Sequence, residues 1–175
     1  MKIKIIDDIQ NKIVSTLDES QTIKRLVTYM TNLPLGAKDK VNGEWVYQPD
    51  IITSIYNCDL PSLIVGSFVD GINNIPKVRI FVYPVTGKLT EDTTLGDNFF
   101  NIDVLVPKQY NMLVGQGARR NSQIGEEVLK VLDTIPFDGL GKFNFTQYDY
   151  SVIEGGDYTL LKLTLKIDSS SVVTV

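Results

Sequence analysis

Two glycines, two arginines and an Asn-Ser pair stand close together in the segment VGQGARRNSQIGEEVLKVLDTI, residues 114–135. A glycine-rich loop that leads into a helix can hold a phosphate with its backbone amides. This segment lacks the third glycine of a dinucleotide-binding motif and the Gly-Lys-Ser/Thr ending of a P-loop. Both motifs also require a βαβ unit, and the chain shows no regular βαβ alternation. We therefore interpret the segment as a turn followed by a core-facing helix.

The pattern after this turn predicts an amphipathic helix. Asn121 or Ser122 is expected to help cap it, and Pro136 is expected to end it. Apolar residues at helical spacing predict its core-facing stripe: Ile124, Val128, Val131, Leu132 and Ile135. Arg119 and Arg120 have no evident partner within the chain. We interpret them as candidates for ion pairs with a neighbouring subunit, and a solvated position is the alternative.

Composition excludes several kinds of active site. The 175-residue chain contains no histidine, which excludes Ser-His-Asp triads, Cys-His nucleophiles and histidine-based zinc sites. Its one cysteine, Cys58, cannot form an intramolecular disulfide, and we predict that it is a small buried hydrophobic residue. The net charge of −4 lacks the basic footprint of a nucleic-acid-binding protein. We expect no catalytic site, no cofactor and no metal.

Aromatic residues crowd one predicted strand near the C-terminus. Phe143, Phe145, Tyr148 and Tyr150 could stack nucleic-acid bases, but Asp149 lies among them and the chain is acidic. We favour core packing on one face of this strand and a subunit interface on the other. The paired acids of the chain are all adjacent in sequence, so their side chains point apart and none forms a general acid/base pair.

The elements that would position these residues indicate an α+β domain. Apolar spacing predicts a broken helix or helix pair over about residues 5–30, then three strands, the helix described above and a hairpin around Gly155–Gly156. We expect one domain over residues 1–175, with a mostly antiparallel sheet and the N-terminal and second helices packed on one face. Residues 169–175 form a flexible tail in this interpretation, or add an edge strand to a neighbour.

A long loop over residues 34–50 interrupts this pattern. Trp45 and Tyr47 lie in a short strand predicted within it and would share one face. A loop of this length in a compact domain is usually functional or an interaction arm. The chain also lacks a signal-peptide pattern and an apolar run long enough to span a bilayer, so we expect a soluble protein of a reducing cytoplasm.

Over most of its length the chain resembles the tail terminator and tail-completion (minor tail) proteins of tailed bacteriophages, and related neck proteins. The resemblance is carried by the N-terminal helix, the strand entry DLPSLIVG (59–66), the strand NIDVLVP (101–107), the arginine-bearing helix ARRNSQIGEEVLKVLDTI (118–135) and the hairpin around EGGD (154–157). The Trp-bearing insertion over residues 34–50 departs from the compact version of this pattern. It leaves open whether the chain resembles a terminator or another ring of the head-tail connector.

This resemblance implies a structural virion protein without catalytic activity. It implies a homo-oligomeric, hexameric ring at the head-proximal end of the tail, assembled in the host cytoplasm and retained in the virion neck. The implied partners are the tail tube protein and head-tail connector proteins. DNA would only pass through the channel, without specific binding, and no membrane is involved. The net negative charge suits such a channel, because basic linings bind phosphates.

A ring requires two different surfaces that match each other. Our candidates are the loop with Trp45 and Tyr47 on one side, and on the other side the two arginines together with the hairpin: Arg119, Arg120, Tyr148 and Tyr150. Two alternatives remain open. One is a monomeric, soluble binding or adaptor module without catalytic activity, and the other is an enzyme that uses carboxylates with an unrecognised cofactor.

Overall fold

The computed structural model describes residues 3–31, 34–35, 37–41, 44–47, 49–67, 76–89, 95–113, 118–133, 143–153 and 156–167. Its elements in chain order are α1 (Ile3–Glu19), α2 (Gln21–Thr28), β1 (Ala37–Val41), β2 (Glu44–Tyr47), β3 (Leu63–Val65), β4 (Arg79–Leu89), β5 (Leu95–Pro107), α3 (Lys108–Asn111), α4 (Arg120–Asp133), β6 (Phe143–Val152) and β7 (Tyr158–Ile167). This order confirms the predicted α+β class.

The predicted N-terminal helix pair is confirmed, and its break falls at Ser20. The Ser20 hydroxyl accepts a hydrogen bond from the backbone N–H of Ile23 at 3.3 Å, which caps the first turn of α2. Both helices carry a stripe of buried apolar residues: Ile9, Ile13, Val14, Leu17, Ile23, Leu26 and Val27. This stripe joins the main core: α1 packs against the sheet, and α2 packs against α1 and α4.

Five strands form one sheet in the order β3-β4-β5-β7-β6. β3 and β4 run parallel, and the other neighbouring strands run antiparallel. Alternation along the strands directs one apolar set towards the helices: Phe100, Ile102, Val104 and Val106 on β5, and Leu161, Leu163, Leu165 and Ile167 on β7. The helices α1 and α4 pack on this face. The mostly antiparallel sheet with helices on one face is therefore confirmed.

The opposite face of the sheet carries a smaller buried cluster. Its fully enclosed members are Phe81, Leu105 and Tyr158, one from each of three neighbouring strands. Beside this cluster lies a row of polar side chains on β4, β5 and β7, which is described with the candidate sites below. The sheet therefore has an apolar face under the helices and a mixed face on the other side.

A separate two-stranded sheet, β1 with β2, occupies the predicted long loop. The short strand predicted within that loop is confirmed as β2. Where the chain returns from this hairpin, Asp50 Oδ1 lies 2.5 Å from Nη2 of Arg25, and the Tyr29 hydroxyl donates to the Pro49 carbonyl at 3.0 Å. These contacts fix the end of the hairpin beside the C-terminal end of α2, and we call this junction the root of the hairpin.

Two local predictions need correction. α4 begins at Arg120, so neither Asn121 nor Ser122 is its N-cap, but Oδ1 of Asn121 accepts a hydrogen bond from the backbone N–H of Ser122 at 2.9 Å and so helps to satisfy the first turn. The backbone N–H of Asn121 donates to Oδ1 of Asn111 in α3, at 3.1 Å. Cys58 is exposed rather than buried, because it lies in the irregular segment before β3.

The predicted core stripe of α4 is confirmed where the structure describes it. Ile124, Val128 and Leu132 are buried in the main core, and Val131 packs against it. Other predictions lie outside the described residues: the turn at Gly115 and Gly117, the core position of Ile135, the helix stop at Pro136 and the tail over residues 169–175.

Candidate interaction surface

β6 is an edge strand, and a bulge decides which way its aromatic side chains face. β6 pairs with β7 along its length, but the register shifts between Phe145 and Gln147, so Thr146 is an extra residue. The Thr146 hydroxyl donates to the Thr164 carbonyl of β7 at 3.0 Å. Since side chains alternate along a strand, one extra residue exchanges the faces of all the residues that follow.

The bulge places four aromatic residues on the helix-bearing face of the sheet. Their partners on β7 are all core-facing, in the pairs Phe143 with Ile167, Phe145 with Leu165, Tyr148 with Leu163 and Tyr150 with Leu161. The prediction that these aromatics divide between a core face and an interface face is therefore wrong. Strict alternation from Phe143 to Tyr150 suggested two faces, and the sequence carries no signal for the bulge.

Three of these aromatic side chains remain open to solvent on that face. Phe145, Tyr148 and Tyr150 are 43%, 63% and 45% exposed. The rings of Phe145 and Tyr148 stack with centroids 6.3 Å apart, and Tyr148 meets Tyr150 edge-on at 5.9 Å. The Tyr150 hydroxyl lies 2.9 Å from the Ser122 hydroxyl of α4. The result is an ordered aromatic row that solvent still reaches.

A groove of about 250 Å³ separates this row from α4. Leu161 and Leu163 of β7 line it together with Gly125, Glu126 and Leu129 of α4. Gly125 allows the helix to lie close to the sheet, because a Cβ at this position would stand 2.7 Å from Cδ2 of Leu161. An adjoining hollow of about 470 Å³ shares Leu129 and Phe145 and continues the groove along α4. We call this feature, with the aromatic row, the aromatic groove.

Arg120 does not belong to this surface. Its side chain is fully buried, and the expectation that it lacks a partner within the chain is wrong. The guanidinium donates to four backbone carbonyls, those of Leu26 at 2.5 Å, Tyr29 at 2.9 Å, Thr31 at 2.5 Å and Tyr110 at 2.8 Å. Burial lowers the pKa of Arg120 to about 10, so the group stays charged at neutral pH.

The other predicted interface residues occupy three separate places. Arg119, next to the buried arginine, is exposed and pairs through its backbone with the exposed Met112. Trp45 and Tyr47 lie in β2, and among the described strands β2 pairs with β1 alone. Tyr148 stands in the aromatic groove. Only the β6 residues are thus brought together, and Phe145 joins them without having been predicted as an interface residue.

A cluster of polar side chains lies on the face of the sheet opposite the helices. The Tyr83 hydroxyl donates to Oδ2 of Asp103 at 2.8 Å, Asn101 donates to the Tyr83 oxygen at 3.3 Å, and Thr164 donates to Asn101 at 2.9 Å. Burial raises the pKa of the Asp103 carboxyl, although the Tyr83 hydrogen bond and the Lys162 charge lower it. This cluster holds one carboxylate, so it does not form a general acid/base pair.

The described ranges contain neither a metal-binding cluster nor a membrane-spanning helix. No three His, Cys, Asp or Glu side chains gather there in an arrangement that could hold a metal ion. None of the described helices combines the length and the apolar character needed to cross a membrane.

Comparison with known families places the chain. The profile of the YomW family matches residues 20–167. The chain belongs to the YomW family. That family is phage-derived, in agreement with the expected phage origin. No curated protein sequence matches the chain. Among solved structures, the virion of a native gene transfer agent particle aligns at 14% identity with a TM-score of 0.38, over 61% of this chain and 76% of that chain. A TM-score this low does not establish a shared fold.

Substitution of the two adjacent arginines of this YomW-family protein should change its stability by very different amounts. Arg120→Ala leaves four carbonyls without a donor and opens a cavity, so we expect the free energy of unfolding to fall by about 3 kcal/mol or more. Arg119→Ala removes the same charge from an exposed position, and we expect a change within about 0.5 kcal/mol. Urea denaturation of both variants measures the difference. Equal losses would contradict the buried role of Arg120.

The buried carboxyl of Asp103 should make the folded protein less stable as pH rises from 4 to 7. Because its folded-state pKa is raised, the folded protein holds this proton more tightly than the unfolded chain, and stability falls as pH rises above about 4, the usual pKa of an aspartate. Asp103→Asn removes this loss while keeping an oxygen for the Tyr83 hydroxyl. We therefore expect the melting temperature of the variant, relative to the parent, to increase from pH 4 to pH 7.

Asp149→Asn is the matched control for this titration. Asp149 is exposed and pairs across the strands with the same Lys162, so its substitution removes an equal charge from this region. A parent-minus-variant difference for Asp103→Asn that stays flat between pH 4 and pH 7 would show that burial does not shift this carboxyl.

Proposed function

We propose that this protein is a structural component of a tailed-phage virion, which forms a ring at the head-proximal end of the tail as a terminator, a completion protein or another head-tail connector ring. The observation that carries the proposal is the aromatic groove, an ordered and solvent-exposed apolar surface along an unpaired sheet edge. Contiguous exposed apolar surface on a soluble domain marks an interaction site. Membership in a phage-derived family and the full-length resemblance to tail terminators supply the phage setting.

A ring closes by a heterologous contact, in which one surface of a subunit binds a different surface of the next. The chain has two such surfaces: the aromatic groove, and the β1–β2 hairpin that forms a sheet of its own. Trp45 and Tyr47 on the hairpin, and Tyr148 and Tyr150 in the groove, are residue types enriched at interface hot spots. Arg119 stays an interface candidate because it is exposed. Arg120 supports the contact indirectly, by holding the root of the hairpin.

The proposed partners follow from this position in the particle. The tail tube protein would bind one rim of the ring and head-tail connector proteins the other, while DNA passes through the channel. The net charge of −4 suits a channel along which DNA moves without adhering. Subunits would assemble in the host cytoplasm and remain in the tail or neck of the virion. The function would be carried by interfaces, without catalytic activity.

The direct test is the oligomeric state of the full chain, alone and mixed with tail tube protein. Native mass spectrometry and negative-stain electron microscopy should detect closed rings, six-fold by the resemblance, either free or on the ends of tubes. A chain that stays monomeric in both conditions would overturn the ring and favour an adaptor module.

Trp45→Ala should weaken ring assembly and leave the subunit folded. The physical reason is that the proposed contact loses an aromatic anchor, a residue type enriched at interface hot spots. Sedimentation velocity measures assembly, and circular dichroism with thermal melting measures folding. Tyr56→Ala, which removes an exposed tyrosine that belongs to neither the hairpin nor the aromatic groove, is the control and should assemble normally. An unfolded Trp45→Ala subunit would mean that Trp45 is a core residue.

A further inference from the structure

We propose that the aromatic groove receives the β1–β2 hairpin of a second copy of this chain, which adds to the edge of β6 and extends the five-stranded sheet across the subunit boundary. This inference rests on the ring proposed above and specifies its contact. The acceptor of the added strand is the outer edge and helix-side face of β6. The donor is the hairpin formed by β1 and β2. Four observations support this assignment.

The first is that β6 ends the sheet and has an outer edge to which none of the described strands pairs. An edge strand presents a row of backbone N–H and C=O groups that can template another strand. Natural edges are commonly blocked with lysine or proline. The sequence of β6, FNFTQYDYSV, has neither, and Asp149 is its one charged residue.

The second is a match of length. The bulge at Thr146 interrupts regular pairing, so the uninterrupted part of the edge runs from Gln147 to Val152. The strands of the hairpin are short as well: β1 has 5 residues and β2 has 4. A longer strand would have to cross the bulge. The open segment of β6 is therefore of the length that one strand of the hairpin can cover.

The third is that the hairpin forms a sheet separate from the five-stranded one among the described strands. An isolated two-stranded hairpin is marginally stable in water and needs a third strand or a packed face. β1 and β2 pair with each other and, within the described part of the chain, with no other strand. The same chain thus carries a two-stranded ribbon that needs a sheet and a sheet with an open edge.

The fourth is the chemistry of the two faces. Positions 45 and 47 are two apart, so they fall on one face of β2, and the register places Lys40 opposite Trp45. The groove offers an aromatic row, a leucine floor and the exposed carboxylate of Glu126 at its helix side. The residue types at these register positions, two aromatics and a lysine, therefore complement an apolar groove with an acid. Both surfaces exist on every copy, so the contact is head-to-tail and repeats around a ring.

Site-specific photo-cross-linking tests the contact directly. The full chain carries p-benzoylphenylalanine in place of Tyr148, and it is mixed with an isotopically labelled copy so that intersubunit products can be recognised by mass. We expect cross-linked peptides that join position 148 to residues 37–47 of the other copy. The same cross-linker in place of Tyr56 is the control, and it should not reach the hairpin.

Complementation tests whether hairpin and groove lie on opposite sides of one junction. Trp45→Ala and Tyr148→Ala should each weaken self-association by about 30-fold, the effect of losing an aromatic hot spot. An equimolar mixture should restore one intact junction, between the hairpin of the Tyr148→Ala copy and the groove of the Trp45→Ala copy. Native mass spectrometry should then show heterodimers instead of rings. Tyr56→Ala should associate like the parent chain.

The outcomes separate this inference from the proposed function. Rings whose position-148 cross-links lie outside residues 37–47 overturn the hairpin contact and leave the ring standing. Cross-links between two copies of β6, or with the tail tube protein alone, also overturn it, because the occupant of the groove is then different. A chain that remains monomeric with and without tail tubes, and yields no intersubunit product, overturns both.

Discussion

The guanidinium of Arg120 lies where three segments of the chain meet, and the relative placement of the candidate interaction surfaces depends on it. Carbonyls at the end of α2 and just beyond it, at Leu26, Tyr29 and Thr31, have no partner within that helix, and the carbonyl of Tyr110 faces them from α3. A planar guanidinium presents five N–H donors in a fixed fan, and a helix C-terminus favours a cation. One buried side chain therefore joins the root of the hairpin to the start of α4, which forms the wall of the aromatic groove.

The bulge in β6 acts on the same surface from the other side. Without Thr146 as an extra residue, Tyr148 and Tyr150 would face the polar side of the sheet, and the groove would lose its aromatic row. The bulge thus has two opposite effects on strand association. It interrupts the edge, which limits unspecific strand pairing, and it concentrates apolar surface along the segment that stays open.

Sequence patterns predicted those parts of the fold that depend on local periodicity. The alternation of Leu161, Leu163 and Leu165 identified β7 and its buried face correctly, and the spacing of Ile9, Ile13 and Leu17 identified α1. Periodicity predicts the face on which a side chain lies, but it does not predict which groups that side chain contacts. The partners of Arg120 are carbonyls up to 94 positions away in sequence, and a carbonyl has no residue type that a pattern could reveal. The bulge was missed for a related reason, because strict alternation assumes that every residue of the strand is paired.

The exposed edge also constrains when the protein can assemble. A subunit with an open strand edge beside stacked aromatic rings is prone to unspecific association, and natural sheets usually prevent this with charge or proline. β6 carries one acidic residue and the bulge, a weak protection for a ten-residue strand. Such an edge persists where a specific partner covers it, and in a homo-oligomer that partner is present at the same concentration as the edge itself. In the proposed contact the hairpin would be such a partner, because it belongs to the same chain and a two-stranded hairpin gains stability from a third strand. The proposed head-to-tail contact would cover the strand edge of one copy with the hairpin of the next, so assembly would stabilise both surfaces.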